Sequence, residues 1–211
     1  MEELVMKSGT KIIDGIEYNA YPAPDFLLKA MESKWATKLI SEGVIRLNSL
    51  SYYHNLESAE LGDSMEGLGE LQVNAHPYST SSINEHFVWC SASPDSDCMV
   101  LLALDDSYNV VIKINDIAEF VKRIFSSLKT KKYKFSPPQI GRVTYDRSNE
   151  VTMENLKDLQ WQWSSFQKSD SYSHQNEFRF VFSDLSFELE QGKSINLIIG
   201  NCSDIIEFIE I

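Results

Sequence analysis

His174-Gln-Asn-Glu-Phe-Arg-Phe-Val-Phe182 alternates apolar and polar side chains as an extended segment does. Read with a period of two, Phe178, Phe180 and Phe182 share one face and Gln175, Glu177 and Arg179 the other. Three phenylalanines in a row need a core beneath them. The opposite face then carries an amide, a carboxylate and a guanidinium in line. Taken alone, that row reads either as the wet side of an antiparallel strand or as a set of groups with chemistry to do.

Around this strand the chain shows mixed periodicities. Phe26–Met31 and Val44–Asn48 read as strands, separated by a helix over Lys34–Glu42 with Ser33 as its cap and Gly43 as its stop. Ser49–Ser82 is a polar, glycine-containing excursion that reads as partly helical and is long enough to be functional or disordered. Phe87–Ser91 is a strand, and Met99–Leu104 is either a buried strand or a short buried helix. Tyr108–Ile114 alternates as a strand, Asp116–Leu128 carries a helical stripe, and Ile140–Tyr145 resumes extended structure after Pro137-Pro138. Glu150–Phe166 is expected to be helical, and Ile195–Ile199 and Ile205–Ile209 to be closing strands. Without regular βαβ alternation, the class is α+β, with residues 1–211 as a single domain.

At 43% hydrophobic and 24% charged residues, the chain carries enough apolar material for a core and too much for disorder. Its longest apolar run, Cys98–Leu104, is far short of the roughly 20 residues a bilayer crossing needs. The start, Met1-Glu-Glu-Leu-Val-Met-Lys7, does not resemble a secretory signal. Cys90, Cys98 and Cys202 are odd in number and irregularly spaced, which fits free thiols and a cytoplasmic location without membrane attachment. The net charge of −12 argues against polyanion binding by the whole surface. One segment departs from it: Lys122–Arg147 holds eight basic residues against Asp146, with Phe125, Tyr133, Phe135 and Tyr145 interleaved. That mix fits either a solvated helix end with a basic loop or a nucleic-acid contact.

No G-x-G-x-x-G or G-x-x-x-x-G-K-[ST] occurs, which excludes the usual Rossmann and P-loop signatures. H-E-x-x-H, G-x-S-x-G and C-x-x-C are absent as well. His86 and Cys90, with His76 and Cys98 as nominal third and fourth ligands, read as buried structural residues, and no metal is expected.

Several blocks resemble a bacterial family of domains of unknown function: Leu28-Lys29-Ala30, Tyr53-His54-Asn55, Trp89-Cys90-Ser91 and Lys168-Ser169…Tyr172-Ser-His-Gln-Asn-Glu-Phe-Arg179. Their order and spacing agree over nearly the whole chain. The tyrosines that flank the lysine in that family are missing, His54-Asn55 replaces an Asn-Asp pair, and Glu66-Gly67 comes late. The family is in turn similar to the ADP-ribosyltransferase superfamily, whose strands carry an Arg or His, then a Ser or Tyr, then a Glu often preceded at −2 by Gln or Glu. Gln175-Asn-Glu177 resembles the last element and Ser91-Ala-Ser93 the middle one, while Lys29 and Arg46 compete for the first.

This resemblance implies an ADP-ribosyltransferase-like fold of split mixed β-sheets with flanking helices, and NAD as co-substrate. Glu177 would bond the ribose 2′-hydroxyl and face the positive charge of an oxocarbenium-like transition state, and Gln175 would orient the nucleophile. Lys29 or Arg46 would hold the pyrophosphate or the adenosine ribose. Ser91 would brace Glu177 or touch the nicotinamide ribose, Ser93 would join the cofactor-binding residues, and Tyr52 and Tyr53 would stack on nicotinamide. The expected activity is transfer of ADP-ribose to a macromolecule, RNA or DNA slightly ahead of protein, by a toxin or effector of phage defence or a toxin–antitoxin system. An antitoxin or other inhibitor protein is a further candidate partner. A non-catalytic binding module and an NAD glycohydrolase are the alternatives. If the transferase reading holds, Glu177→Gln is expected to lower turnover by orders of magnitude with little loss of folding.

Overall fold

The computed structural model describes residues 4–5, 11–19, 22–53, 67–73, 76–81, 85–131, 133–145, 150–151, 163–186 and 192–210. His54, Asn55, Glu66, Lys132, Asp146, Arg147 and most of the helix expected over 150–166 lie outside the described residues.

The chain begins with β1 (Leu4–Val5), β2 (Lys11–Ile13) and β3 (Ile16–Tyr18), then β4 (Leu27–Met31), helix α1 (Ser33–Glu42) and β5 (Val44–Ser49). A turn of helix, α2 (Leu50–Tyr53), precedes β6 (Leu68–Val73) and β7 (His76–Ser81). Next come β8 (His86–Ala92), α3 (Cys98–Leu102), β9 (Val110–Ile114), α4 (Ile117–Lys129), β10 (Gln139–Arg142) and β11 (Glu150–Val151). Two 3-10 segments, Trp163–Phe166 and Asp170–Gln175, lead into β12 (Glu177–Ser183), which is followed by β13 (Ser194–Ile198) and β14 (Ile206–Phe208). The architecture is mixed α+β. An eleven-stranded sheet runs β1-β2-β3-β10-β12-β8-β4-β9-β14, with β5 joined to β8 and β13 to β5, and a second sheet runs β11-β6-β7. Most neighbours are antiparallel; β3–β10 and β6–β11 are parallel.

The central strands follow their sequence pattern closely. Phe178, Phe180 and Phe182 are fully buried, Trp89 stacks on Phe180 with ring centres 5.5 Å apart, and Phe120 of α4 meets both rings edge-on. Helix α4 supplies Ile117, Phe120, Val121, Ile124 and Leu128 from one stripe, and Asp116 caps it by accepting the Glu119 N–H at 2.9 Å.

Elsewhere the structure corrects the pattern. Ser33 is the first helical residue of α1 rather than its cap; Glu32 holds that position. Gly43 does stop the helix, at φ +71°. The run after Cys98 is a helix, because Asp97 accepts the Met99 N–H at 2.7 Å and starts a turn there. The polar excursion contains the hairpin β6–β7, and Glu150-Val151 pairs in parallel with β6, so no helix starts at 150. Trp163–Phe166, expected to end that helix, is a 3-10 turn.

One feature of the large sheet creates the site. Strand β8 pairs with β12 along its whole length, Glu177↔Ala92 to Ser183↔His86. On its other edge β4 touches it only at Leu28↔Ala92, and β5 only at Asn48↔Val88 and Ser49↔Phe87. Between these contacts the sheet divides, and among the described residues Trp89, Cys90 and Ser91 have no ladder partner on that side.

Candidate functional site

A cleft of about 730 Å³ occupies this division, within the ~300–1,000 Å³ usual for small-molecule sites. Its lining gathers Lys29, Arg46, Tyr52, Tyr53, Ser91, Gln175 and Glu177, residues spread over nearly 150 positions of sequence. Ser93 is not among them. It is fully buried, with its N–H donating to the Asn176 carbonyl at 3.0 Å, and so stands behind the cleft.

The floor is charged and dry. Glu177 and Arg179 occupy the face of β12 opposite the phenylalanines, but that face is not wet: the two residues are 5% and 1% exposed. The Arg179 guanidinium grips the carboxylate with two bonds, Nε to Oε1 at 2.8 Å and Nη2 to Oε2 at 3.0 Å. Its Nη1 donates to the Ser165 carbonyl at 2.7 Å. Lys168, also buried, places Nζ 3.0 Å from Glu177 Oε2 and donates to Gln175 Oε1 at 2.7 Å. The row is buried because the segment carrying Ser165 and Lys168 meets this face of β12. Gln175 also departs from the strand pattern: it ends a 3-10 segment, and Asn176, at φ +42°, turns the chain before β12 starts. It reaches the site through Lys168 rather than by sharing a strand face with Glu177.

Burial alone would raise the Glu177 carboxyl, but the Arg179 and Lys168 charges outweigh it and hold the group below the usual carboxylate range. The Cys90 thiol also bonds the carboxylate. Burial and the nearby Glu177 charge push that thiol up to about 12, so it is a neutral donor. From behind, the Glu177 N–H donates to Tyr145 Oη at 2.7 Å.

Lys29 crosses the division in the sheet. Its Nζ donates to the Cys90 carbonyl at 2.6 Å, a strand oxygen that a continuous ladder would have used, and lies 4.8 Å from the Trp89 ring centre. Burial pushes the ammonium below its ordinary range. Arg46 is exposed on β5, where it bonds Asn48 Oδ1 at 3.1 Å and Ser194 Oγ at 2.8 Å and lies against Tyr52. The cleft therefore holds one cation deep and one exposed where the sequence left a choice between the two. Tyr52 and Tyr53 meet edge-on at 5.6 Å, and Tyr53 Oη accepts from Asn48 at 3.3 Å. Ser91 Oγ donates to the Phe178 carbonyl at 2.8 Å, so its hydroxyl ties β8 to β12.

Lys168, Arg179, Trp89 and Cys90 belong to the cleft although the residue pattern did not mark them as site residues. Arg179 had a visible signal, its alternation with Glu177. Lys168 had none beyond its place in the Lys-Ser block, because its partners come from a turn whose path is set by tertiary contacts. The cleft lining carries Lys29, Arg46, Lys168 and Arg179 against Glu32, Asp105 and Glu177, in a chain where acids outnumber bases 31 to 19. That local reversal favours an anionic ligand.

Among the described residues no cluster of three or more metal-ligating side chains occurs, and His86 instead bonds Ser183 at 2.7 Å. No described helix is long and apolar enough to cross a membrane. None of the described residues of the basic segment lines the opening, although its Tyr145 meets Glu177 from behind: Lys122 pairs with Asp14, and Arg123 with Glu119 and Asp204. No family model, no curated protein and no solved structure matches this chain, so the reading of the cleft rests on its geometry and residues.

Proposed function

We propose that the cleft binds NAD and that the chain transfers ADP-ribose from it to a macromolecular acceptor. The observation that carries this reading is the juxtaposition of an ionised, buried carboxylate with cationic and aromatic walls in one opening of the sheet. Cleavage of the bond between nicotinamide and ribose builds positive charge on the sugar, and Glu177 is a fixed anion for it to face. Lys29, with Arg46 nearer solvent, would neutralise the pyrophosphate, and Tyr52 and Tyr53 offer surfaces for planar rings. In this reading the chain is a toxin-like effector of the cytoplasm, held in check by an inhibitor protein.

A second reading has a specific observation in its favour. Both oxygens of Glu177 are occupied by Arg179 and Lys168, which suits a module that recognises an anionic nucleotide and does not turn it over. Incubation with NAD labelled in its ADP-ribose part, in the presence of cell lysate, separates the two. Label on RNase- or DNase-sensitive material, or on protein, supports transfer and names the acceptor class. Free labelled ADP-ribose alone indicates a glycohydrolase. Label remaining in intact NAD contradicts turnover and leaves the binding module.

A further inference from the structure

We propose that Lys168 is a positioning residue that fastens Gln175 and the turn before β12 to Glu177, and so fixes where the acid points. The argument needs only the packing. A buried ammonium must find oxygen partners, and those of Lys168 include two from different elements: Gln175 Oε1 at the end of a 3-10 segment and Glu177 Oε2 at the start of β12. Between them stands Asn176 in a left-handed conformation, which asparagine accepts more readily than most residues and which turns the chain from one partner to the other. The Lys168 backbone is fixed too, its N–H donating to the Thr144 carbonyl at 2.9 Å, and its ammonium lies 5.2 Å from the Tyr172 ring centre. The lysine thus joins a turn, a strand end and a neighbouring segment at one point on the cleft floor.

Glu177 also faces Arg179 from its own strand, Cys90 from β8, Lys29 from β4, Tyr53 from α2 and Tyr145 from the chain after β10. Arg179 supplies the bidentate grip on the carboxylate. What Lys168 adds is the link to Gln175, which makes the two groups one rigid unit.

The kinetic part of this inference rests on the proposed NAD chemistry; the structural part does not. The test uses the full chain with Lys168→Gln and Lys168→Arg, and carboxyl-carbon NMR of labelled glutamate to follow Glu177. In Lys168→Gln the Glu177 titration is expected to move up by about one pH unit or more, with the Gln175 side-chain amide signals broadened; Lys168→Arg is expected to restore most of the wild-type titration. A Lys168→Gln protein that folds with both signals unchanged overturns the proposal. Where wild type releases nicotinamide, Lys168→Gln should lower kcat about 10- to 100-fold with KM nearly unchanged, and the acid limb of its pH profile should follow the Glu177 titration. Equal loss in kcat and gain in KM contradicts a positioning role. A wild-type protein that releases no nicotinamide fails the functional reading alone, and the NMR titration still decides the role of Lys168.

Discussion

Glu177 and Arg179 stand two apart on one strand, and their pairing shows how far local spacing can be read. Alternation places a carboxylate beside a guanidinium and says nothing about what covers them. The cover is supplied by residues 163–175, whose path depends on contacts with Thr144, beyond the end of β10, and with Arg179 of β12. Burial changes the energetics: removing one partner of a buried pair typically costs about 3–5 kcal/mol, because the other charge is left without compensation. Arg179→Met should therefore lower the stability measured by urea unfolding by about that amount. Glu177→Gln should be destabilising for the same reason, where the catalytic reading of the sequence expects little loss of folding. Glu177→Asp keeps the charge and moves only its position, which makes it the better probe of chemistry. The pH dependence has a defined sign. The folded Glu177 carboxyl lies below its unfolded value of about 4.5, so its contribution is complete above that pH and is lost as pH falls further.

At the scale of elements, strongly periodic segments were legible and cover-dependent ones were not. Helix α4 and strands β8 and β12 follow their apolar stripes, since burial of those stripes is what stabilises them. The hairpin β6–β7 was hidden because Gly69 shortens the alternation in Leu68–Val73 and Pro77 opens a largely polar run, His76–Ser81. Phe180→Ala, at the centre of the stacked rings, should destabilise by about 3–5 kcal/mol in urea unfolding. Gly43→Ala should be harmful despite its small size. The residue sits at φ +71°, and an added Cβ would lie 2.0 Å from the Gly200 carbonyl oxygen, so the turn after α1 and the turn after β13 would have to separate. His86 gives β8 a second pH signature. Burial lowers it from 6.5 to about 4, so stability should be complete above pH 6.5 and fall by roughly 3 kcal/mol as pH drops to about 4. A urea midpoint that stays flat across that window would contradict this, and His86→Phe should remove the slope if it folds.

For the molecule as a whole, the cleft is a product of topology. Lys29, Arg46, Ser91 and Glu177 lie on four different strands, and they meet because β4 and β5 hold opposite ends of one edge of β8. No spacing rule in a single sequence encodes that division, which is why Lys29 and Arg46 could not be ranked from sequence and both prove to line it. The overall acidity of the chain likewise hid a cleft whose lining leans the other way. The most direct measurement of the central claim is nicotinamide release from NAD by wild type and by Glu177→Asp, with unfolding curves recorded on the same samples. The account predicts release by wild type and a loss of about 10²–10³-fold in Glu177→Asp at nearly unchanged stability. Equal rates in the two proteins, or no release by a folded wild type, would contradict it.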